Sequence, residues 1–165
     1  RKYVIANPDL EPESSLELDV GLRFNGNHAG CAIFAFHNRI QDMIERYRLP
    51  DQTYTHGNID VGTVRGFELE GFYSPVDWLE FRSAYTHYRG RSATGTPLND
   101  VPAHRLLLSS TLYLNRVTIT GGLERVSHKS DPGPAEVTHE SFTRLDLRFS
   151  WFLSQGWQIY MKVRI

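Results

Sequence analysis

Cysteine, long apolar runs and an excess of one charge are scarce in this 165-residue sequence. Its single cysteine, Cys31, excludes an internal disulfide framework, and its small and apolar neighbours are more typical of a buried hydrophobe than of a nucleophile. No run approaches the roughly 18 apolar residues that a membrane-spanning helix needs. Lysine and arginine number 18 against 19 aspartate and glutamate, so nothing indicates a nucleic acid partner.

Motifs of the common enzyme classes are missing as well. The sequence contains no HExxH, no GxSxG, no phosphate-cradling glycine loop and no Cys-x-x-Cys. Glu68 and Glu70 form a close carboxylate pair, but residues at this spacing are same-face neighbours on a strand rather than an evident acid/base pair. We therefore expect a protein that is not an enzyme and has no cofactor.

What the sequence does contain is apolar residues at every second position, the signature of strands with two unlike faces. From residue 15, leucine, valine and phenylalanine alternate with charged residues and glycine up to Phe24, and Asn25-Gly26 then favours a tight hairpin. Similar runs recur along the whole chain. The predicted strands, eight in all, cover 15–24, 28–38, 66–73, 78–89, 105–114, 117–126, 142–152 and 157–165. The fold class predicted is all-β and antiparallel.

The segment 38–48 is the exception, because Ile40, Met43, Ile44 and Tyr47 have helical spacing. A short helix there competes with an extended continuation of the second strand. We favour the extended reading.

The connections between the predicted strands alternate in length. Those at Asn25–Asn27, Ser74–Asp77, Asn115-Arg116 and Ser154–Gly156 are short, and those at 49–58, 90–103 and 127–141 are long. A soluble sandwich has no reason to keep all its tight turns at one end, whereas an outer-membrane barrel has short periplasmic turns and long extracellular loops.

Aromatic residues flank the short turns and predict a girdle at the periplasmic interface. The residues are Phe24, Tyr73, Trp78, Tyr113, Trp151, Phe152 and Trp157. A second set toward the long loops, Tyr47, Tyr85 and Tyr88, predicts the opposite girdle. In such a barrel the charged strand faces line the lumen, whereas in a soluble barrel they face water. Alternation alone does not choose between the two arrangements; the turns and the aromatics favour the membrane one.

Residues 7–24, NPDLEPESSLELDVGLRF, resemble the signature segment of TonB-dependent outer-membrane receptors. Further resemblances follow in the family's order, at 34–47 (FAFHNRIQDMIERY), 64–75 (VRGFELEGFYSP), 79–90 (LEFRSAYTHYRG) and 96–105 (TPLNDVPAHR). Together they span the whole chain. The sequence is thus similar to the C-terminal barrel segment of such a receptor.

The resemblance implies a segment of a barrel with about 22 strands and a plugged lumen. It also implies a Gram-negative outer membrane, a metal chelate such as an iron-siderophore or heme, or cobalamin, as the transported ligand, and TonB as the partner that supplies energy. Strand counting predicts that 1–165 corresponds to strands 14 to 21. The chain lacks an initiator methionine and a signal peptide, and we expect the N-terminal plug, the TonB-binding segment and the final strand to lie outside it.

Two other architectures remain open at this point. One is a complete small eight-stranded outer-membrane barrel, although both of its termini would then lie on the long-loop side. The other is a soluble all-β binding module with an apolar core.

Candidate ligand-binding residues lie in or near the predicted long loops. As a hypothesis, an extracellular vestibule contains Tyr54, His56, Tyr88, Arg91, His104 and His128. No pair of the seven histidines has the spacing of metal ligands, so we predict no metal site.

Overall fold

The computed structural model describes residues 4–154 and 156–165, and every regular element in this part is a β-strand. The strands are β1 (Ser14–Asn25), β2 (Ala29–Arg48), β3 (Tyr54–Val76), β4 (Leu79–Ser92), β5 (Arg105–Leu114), β6 (Val117–Val126), β7 (Phe142–Ser154) and β8 (Trp157–Arg164). They form one antiparallel sheet in chain order. The predicted fold class and the eight strands are confirmed. No helix in the described ranges is long and apolar enough to cross a membrane.

The segment 38–48 is extended, so the helical alternative is wrong. It continues β2 and pairs with β3 from Asn38 opposite Val64 to Arg48 opposite Tyr54. Its helical spacing has a local cause: Asp42 has a φ of 52°, which interrupts the two-residue alternation. Ile40 lies directly opposite Gly62, and the Met43 sulfur lies against that same glycine.

The connection between β2 and β3 is shorter than predicted. The predicted loop 49–58 is wrong from Tyr54 onward, because β3 begins there and only 49–53 form a turn. This turn is closed by the Leu49 N–H, which donates to the Thr53 carbonyl at 2.9 Å, and by the Thr53 N–H, which donates to Asp51 Oδ1 at 3.0 Å. Because β2 and β3 have 20 and 23 residues, their hairpin extends well beyond the shorter strands beside it.

The strand register places most charged side chains, among them Glu70, Glu124 and Arg148, on one face of the sheet. A single concavity of about 720 Å³ on this face is lined by residues from β1 through β8, so the sheet curves toward its charged side. Within it, Glu124 is buried, accepts a hydrogen bond from Arg105 Nε at 2.7 Å and forms an ion pair with Arg144. Such pairing satisfies charges that line the inside of a wall.

The opposite face is apolar and exposed. Leu18 is 65% exposed, Leu22 73% and Met161 59%, and these residues lie on strands at both edges of the sheet. Buried apolar residues in the described part are few: Ala32, Tyr54, Leu98 and Ala135. A single-layered sheet with so large an exposed apolar face has no core of its own, which argues against the soluble module.

The sheet is open in the part that the structure describes. β1 pairs only with β2 and β8 only with β7, so the strands do not close into an eight-stranded barrel. Unpaired strand edges call for further strands. The arrangement is that of a wall segment from a larger barrel.

The aromatic residues at the short turns are exposed, as a girdle requires. Phe24, Tyr73, Trp78, Trp151 and Trp157 are each more than two-fifths exposed. Three residues of the predicted girdles lie elsewhere, the first being Phe152, which follows Arg148 and Ser150 on the charged side of β7. Tyr113 shares the charged face, where its hydroxyl lies 3.5 Å from Glu80 Oε1, and the Tyr88 hydroxyl donates to Glu68 on that same face.

Candidate functional site

The two long connections, 93–104 and 127–141, fold together over the ends of β2 to β4 that lie away from the short turns. Their apolar anchor is Leu98, which is 2% exposed. Leu98 packs where Gly62 and Gly90 leave room, because a Cβ added at either glycine would press against it. The glycines therefore allow the first loop to approach the wall closely.

Asn99 joins three segments through its buried side chain. Its Nδ2 donates to a Glu45 carboxylate oxygen and, at 2.9 Å, to the Arg46 carbonyl on β2. Its Oδ1 accepts from the Ala135 N–H at 2.9 Å, and its own N–H donates to Glu45 at 3.2 Å. Buried polar groups need such partners, so Asn99 fixes both loops to the wall.

Glu136 also links the two loops and orders the second one. Its carboxylate accepts from the N–H groups of Asp100 at 2.8 Å and Gly133 at 2.7 Å, and it forms an ion pair with Lys129. Burial by itself would raise the pKa of Glu136, but these donors outweigh it and hold the pKa below its usual range. The charged form of Glu136 is thus the one that stabilises the loop pair.

A cleft of about 280 Å³ lies between the end of β4 and these two loops. Four of the six predicted residues line it: Tyr88, Arg91, His104 and His128. Arg91 is paired with Asp131, and the guanidinium lowers the pKa of that carboxyl. The cleft therefore combines imidazole, guanidinium and phenol groups, which suit an anionic or metal-chelating ligand.

His87 and His104 meet in the lining of this cleft. Their ring centroids are 4.1 Å apart, and His87 also stacks on Phe67 at 5.2 Å. Burial, with a smaller contribution from His87, lowers the pKa of His104 below its ordinary value. His104 is consequently neutral near pH 7 and available as a hydrogen-bond acceptor.

Tyr54 and His56 do not join this cleft. Both lie on β3 rather than in a loop, as do Tyr88 and Arg91 on β4, so the predicted loop position holds only for His104 and His128. Tyr54 is buried beneath the Arg46 guanidinium, 5.7 Å from its ring centroid. The His56 carbonyl accepts from Asn7 Nδ2 at 3.0 Å.

Several residues that shape the site were not predicted from the sequence. Four residues organise the loops, and most of their partners are distant in sequence: Glu45 for Asn99, Arg91 for Asp131 and the Asp100 N–H for Glu136, which is also paired with the nearby Lys129. The Asp-Pro-Gly-Pro segment 131–134 is the one local signal, since it is typical of an ordered turn. In the ranges described, no group of three or more His, Cys, Asp or Glu residues is placed to hold a metal ion.

A curved sheet with a charged concave face, an exposed apolar convex face and its long loops at one end defines a segment of a transmembrane β-barrel wall. The chain belongs to the TonB-dependent receptor β-barrel family, since the family model "TonB dependent receptor-like, beta-barrel" matches residues 1–164.

Curated relatives agree with this assignment. The chain is 28% identical over 118 residues to the "Iron-regulated outer membrane virulence protein" of Vibrio cholerae serotype O1, which covers 61% of this chain and 18% of the relative. It is 35% identical over 68 residues to the "Vitamin B12 transporter BtuB" of Vibrio vulnificus, covering 41% of this chain and 11% of that protein. The chain thus spans less than a fifth of these relatives.

Solved structures show the same fold. The chain superposes on "Copper transporter OprC" with a TM-score of 0.86 at 15% identity, covering 93% of this chain and 25% of that one. The siderophore receptor PirA from Acinetobacter baumannii gives a TM-score of 0.73 at 12% identity, covering 96% and 28%. The chain matches about a quarter of each barrel.

Proposed function

We propose that the intact protein is an outer-membrane receptor that binds a scarce metal chelate, such as an iron-siderophore or heme, or cobalamin, and imports it with energy delivered by TonB. One observation carries the proposal: imidazole, guanidinium and phenol groups converge in one cleft at the long-loop end of the wall, where a ligand arriving from outside is met first. Relatives described as an iron-regulated outer-membrane protein and as a vitamin B12 transporter support the ligand classes.

In this proposal the segment corresponds to strands 14 to 21 of a barrel of about 22 strands. The plug, the TonB-binding segment and the last strand belong to other parts of the receptor. Tyr88, Arg91, His104 and His128 contact the ligand directly. Tyr54 and His56 contribute from the projecting hairpin of β2 and β3.

The experiment is an uptake assay on the full-length receptor in a Gram-negative host without its own receptors for the ligands offered. Defined ferric siderophores, heme and cobalamin are supplied one at a time, with and without TonB. We expect growth or label uptake for one class of ligand, abolished when TonB is removed. Uptake of none of these ligands, or uptake independent of TonB, would contradict the proposal.

Alanine replacements at the cleft test the residues themselves. We expect Arg91→Ala and His104→Ala to weaken ligand binding by about tenfold or more, since each removes a directional hydrogen-bonding group. His139→Ala is the matched control, because His139 is an exposed histidine of the same loop pair outside the cleft. Unchanged affinity across the cleft variants would remove these residues from the binding site.

A further inference from the structure

Three cationic or protonatable side chains lie side by side on the outward face of the wall. His37 on β2 is directly opposite Arg65 on β3, and Arg65 is directly opposite Arg89 on β4. We call these three residues the outer cationic row. All three are exposed.

Strand alternation places the row on the apolar face rather than on the lumen face. On β3, Leu69, Phe67 and Arg65 follow one another at two-residue intervals, and Leu69 belongs to the exposed apolar surface. Glu68 and Glu70, by contrast, lie on the charged concave side. The row therefore interrupts an apolar surface with charge.

The row has no counter-charge of its own. Among residues 4–154 and 156–165, no carboxylate lies within ion-pair distance of His37, Arg65 or Arg89. Asp131 attracts Arg89 electrostatically, but its carboxylate is bound by Arg91. Like charges directly opposite each other on a sheet, with Cβ atoms about 5 Å apart, are destabilising. An external anion would therefore reduce the repulsion between Arg65 and Arg89.

The height of the row on the wall identifies that anion. Arg65 is eight residues along β3 from the exposed girdle residue Tyr73, which is about 26 Å along the strand and roughly 20 Å along the membrane normal after tilt. Phe67 lies one step and Tyr85 two steps below the row, and their ring centroids are 5.9 Å apart. In an apolar band about 25 Å tall the row therefore lies near the upper edge, from which the long arginine side chains reach the headgroup level.

We propose that the outer cationic row binds the phosphate groups of a lipid headgroup in the leaflet at the long-loop end. A shallow cavity of about 370 Å³ lies over the row and is also lined by Phe67 and His87, which gives the headgroup a recess. The Arg65 and Arg89 guanidinium groups match phosphate geometry because their planar forks donate two parallel hydrogen bonds. This inference rests on the proposed function only for the placement in an outer membrane.

The test uses the full-length receptor, purified in detergent and stripped of lipid, with phosphorylated lipopolysaccharide as the probe. His37→Gln/Arg65→Gln removes one imidazole and one guanidinium group of the row while retaining polar side chains. We expect the double variant to lose at least tenfold in affinity, measured by native mass spectrometry or titration. Arg125→Gln is the matched control: Arg125 also lies on the outward face near the long loops, but it already donates to Thr143 and Ser141.

Two comparisons define the ligand source. Dephosphorylated lipopolysaccharide should bind at least tenfold more weakly than the phosphorylated form, and millimolar inorganic phosphate should not displace the lipid. Equal binding by the double variant and the wild type, equal binding of dephosphorylated lipid, or full displacement by inorganic phosphate would each overturn the proposal. Retained heat-modifiable mobility on electrophoresis checks that the double variant folds.

Uptake measured in parallel separates this inference from the proposed function. His37 and Arg65 lie outside the ligand cleft, so the double variant should still import the ligand. Lipid binding without any ligand uptake by the wild type would refute the proposed function alone. Normal uptake together with unchanged lipid binding by the double variant would refute the lipid site alone.

Discussion

Asn99→Ala should release the two long loops from the wall. The substitution removes two hydrogen bonds donated to Glu45 and the Arg46 carbonyl, and one accepted from the Ala135 N–H. Asn99 is 7% exposed and Glu45 6%, so the groups left behind are poorly solvated. Neutral hydrogen bonds contribute about 1 kcal/mol each and those to a charged group about 2, and some water enters the gap. We therefore expect a local loss of about 3 kcal/mol.

Hydrogen exchange on the full-length receptor measures this loss directly. A change of about 3 kcal/mol corresponds to exchange on the order of 100-fold faster for amides protected by the loop packing. The Ala135 amide and its neighbours in 127–141 should show the change, whereas the amides of β5 and β6 should not. Thr138→Ala, an exposed position in the same loop, is the control and should exchange like the wild type.

A second substitution separates the two ends of the network. Asn99→Asp keeps an acceptor for Ala135 but places a carboxylate against Glu45, so it should loosen the anchor to β2 more than the contact between the loops. Protection in 127–141 that is unchanged in Asn99→Ala would refute the view that this side chain joins the loops.

Three further predictions concern pH and the two faces of the wall. The pKa of Glu136 is lowered in the folded loop, so the stability that the charged carboxylate contributes is complete above the ordinary carboxyl pKa of 4.5 and is lost as the pH falls through the folded value. Spin-label distances between the loops should therefore lengthen on acidification of the wild type. They should not change with pH in Glu136→Gln. The pKa of His104 is also lowered, so the stability contributed by the neutral imidazole is present above pH 6.5 and is lost as the pH falls below that value. A carbon-13 titration should give a midpoint for His104 below the ordinary histidine value, and His87→Ala should raise that midpoint part of the way. An ordinary midpoint in the wild type would contradict the burial argument. Leu147→Arg on the outward face should lower the free energy of unfolding in a bilayer by about 2–4 kcal/mol, whereas Arg148→Gln on the charged face should lower it by less than about 1 kcal/mol. Equal losses would show that the two faces are misassigned.

The parts of the fold that followed from the sequence are those whose signal is local. β1, β7 and β8 alternate cleanly because each side chain meets either apolar surroundings or the polar interior, and a one-residue slip would exchange the two. The short turns between strands are equally local. The beginning of β3 was missed because 54–65 contains glycine, asparagine and aspartate in place of alternating apolar residues, and its pairing with the end of β2 decides its conformation.

The candidate site shows the same division. The sequence pointed to four residues of the cleft because their aromatic, guanidinium and imidazole groups lie in or near long connections: Tyr88, Arg91, His104 and His128. Their convergence in one cleft depends on how the loops fold back over the wall.

The two-residue period is a property of neighbouring residues, so the residue order was enough to predict a wall of antiparallel strands with one mostly charged and one mostly apolar face. The residue order also predicted the end of the wall that carries the long loops. The curvature of the sheet, the burial of the loop groups and the row of His37, Arg65 and Arg89 became visible only in the folded structure. Those facts depend on register and on contacts between residues many positions apart, which no local pattern encodes.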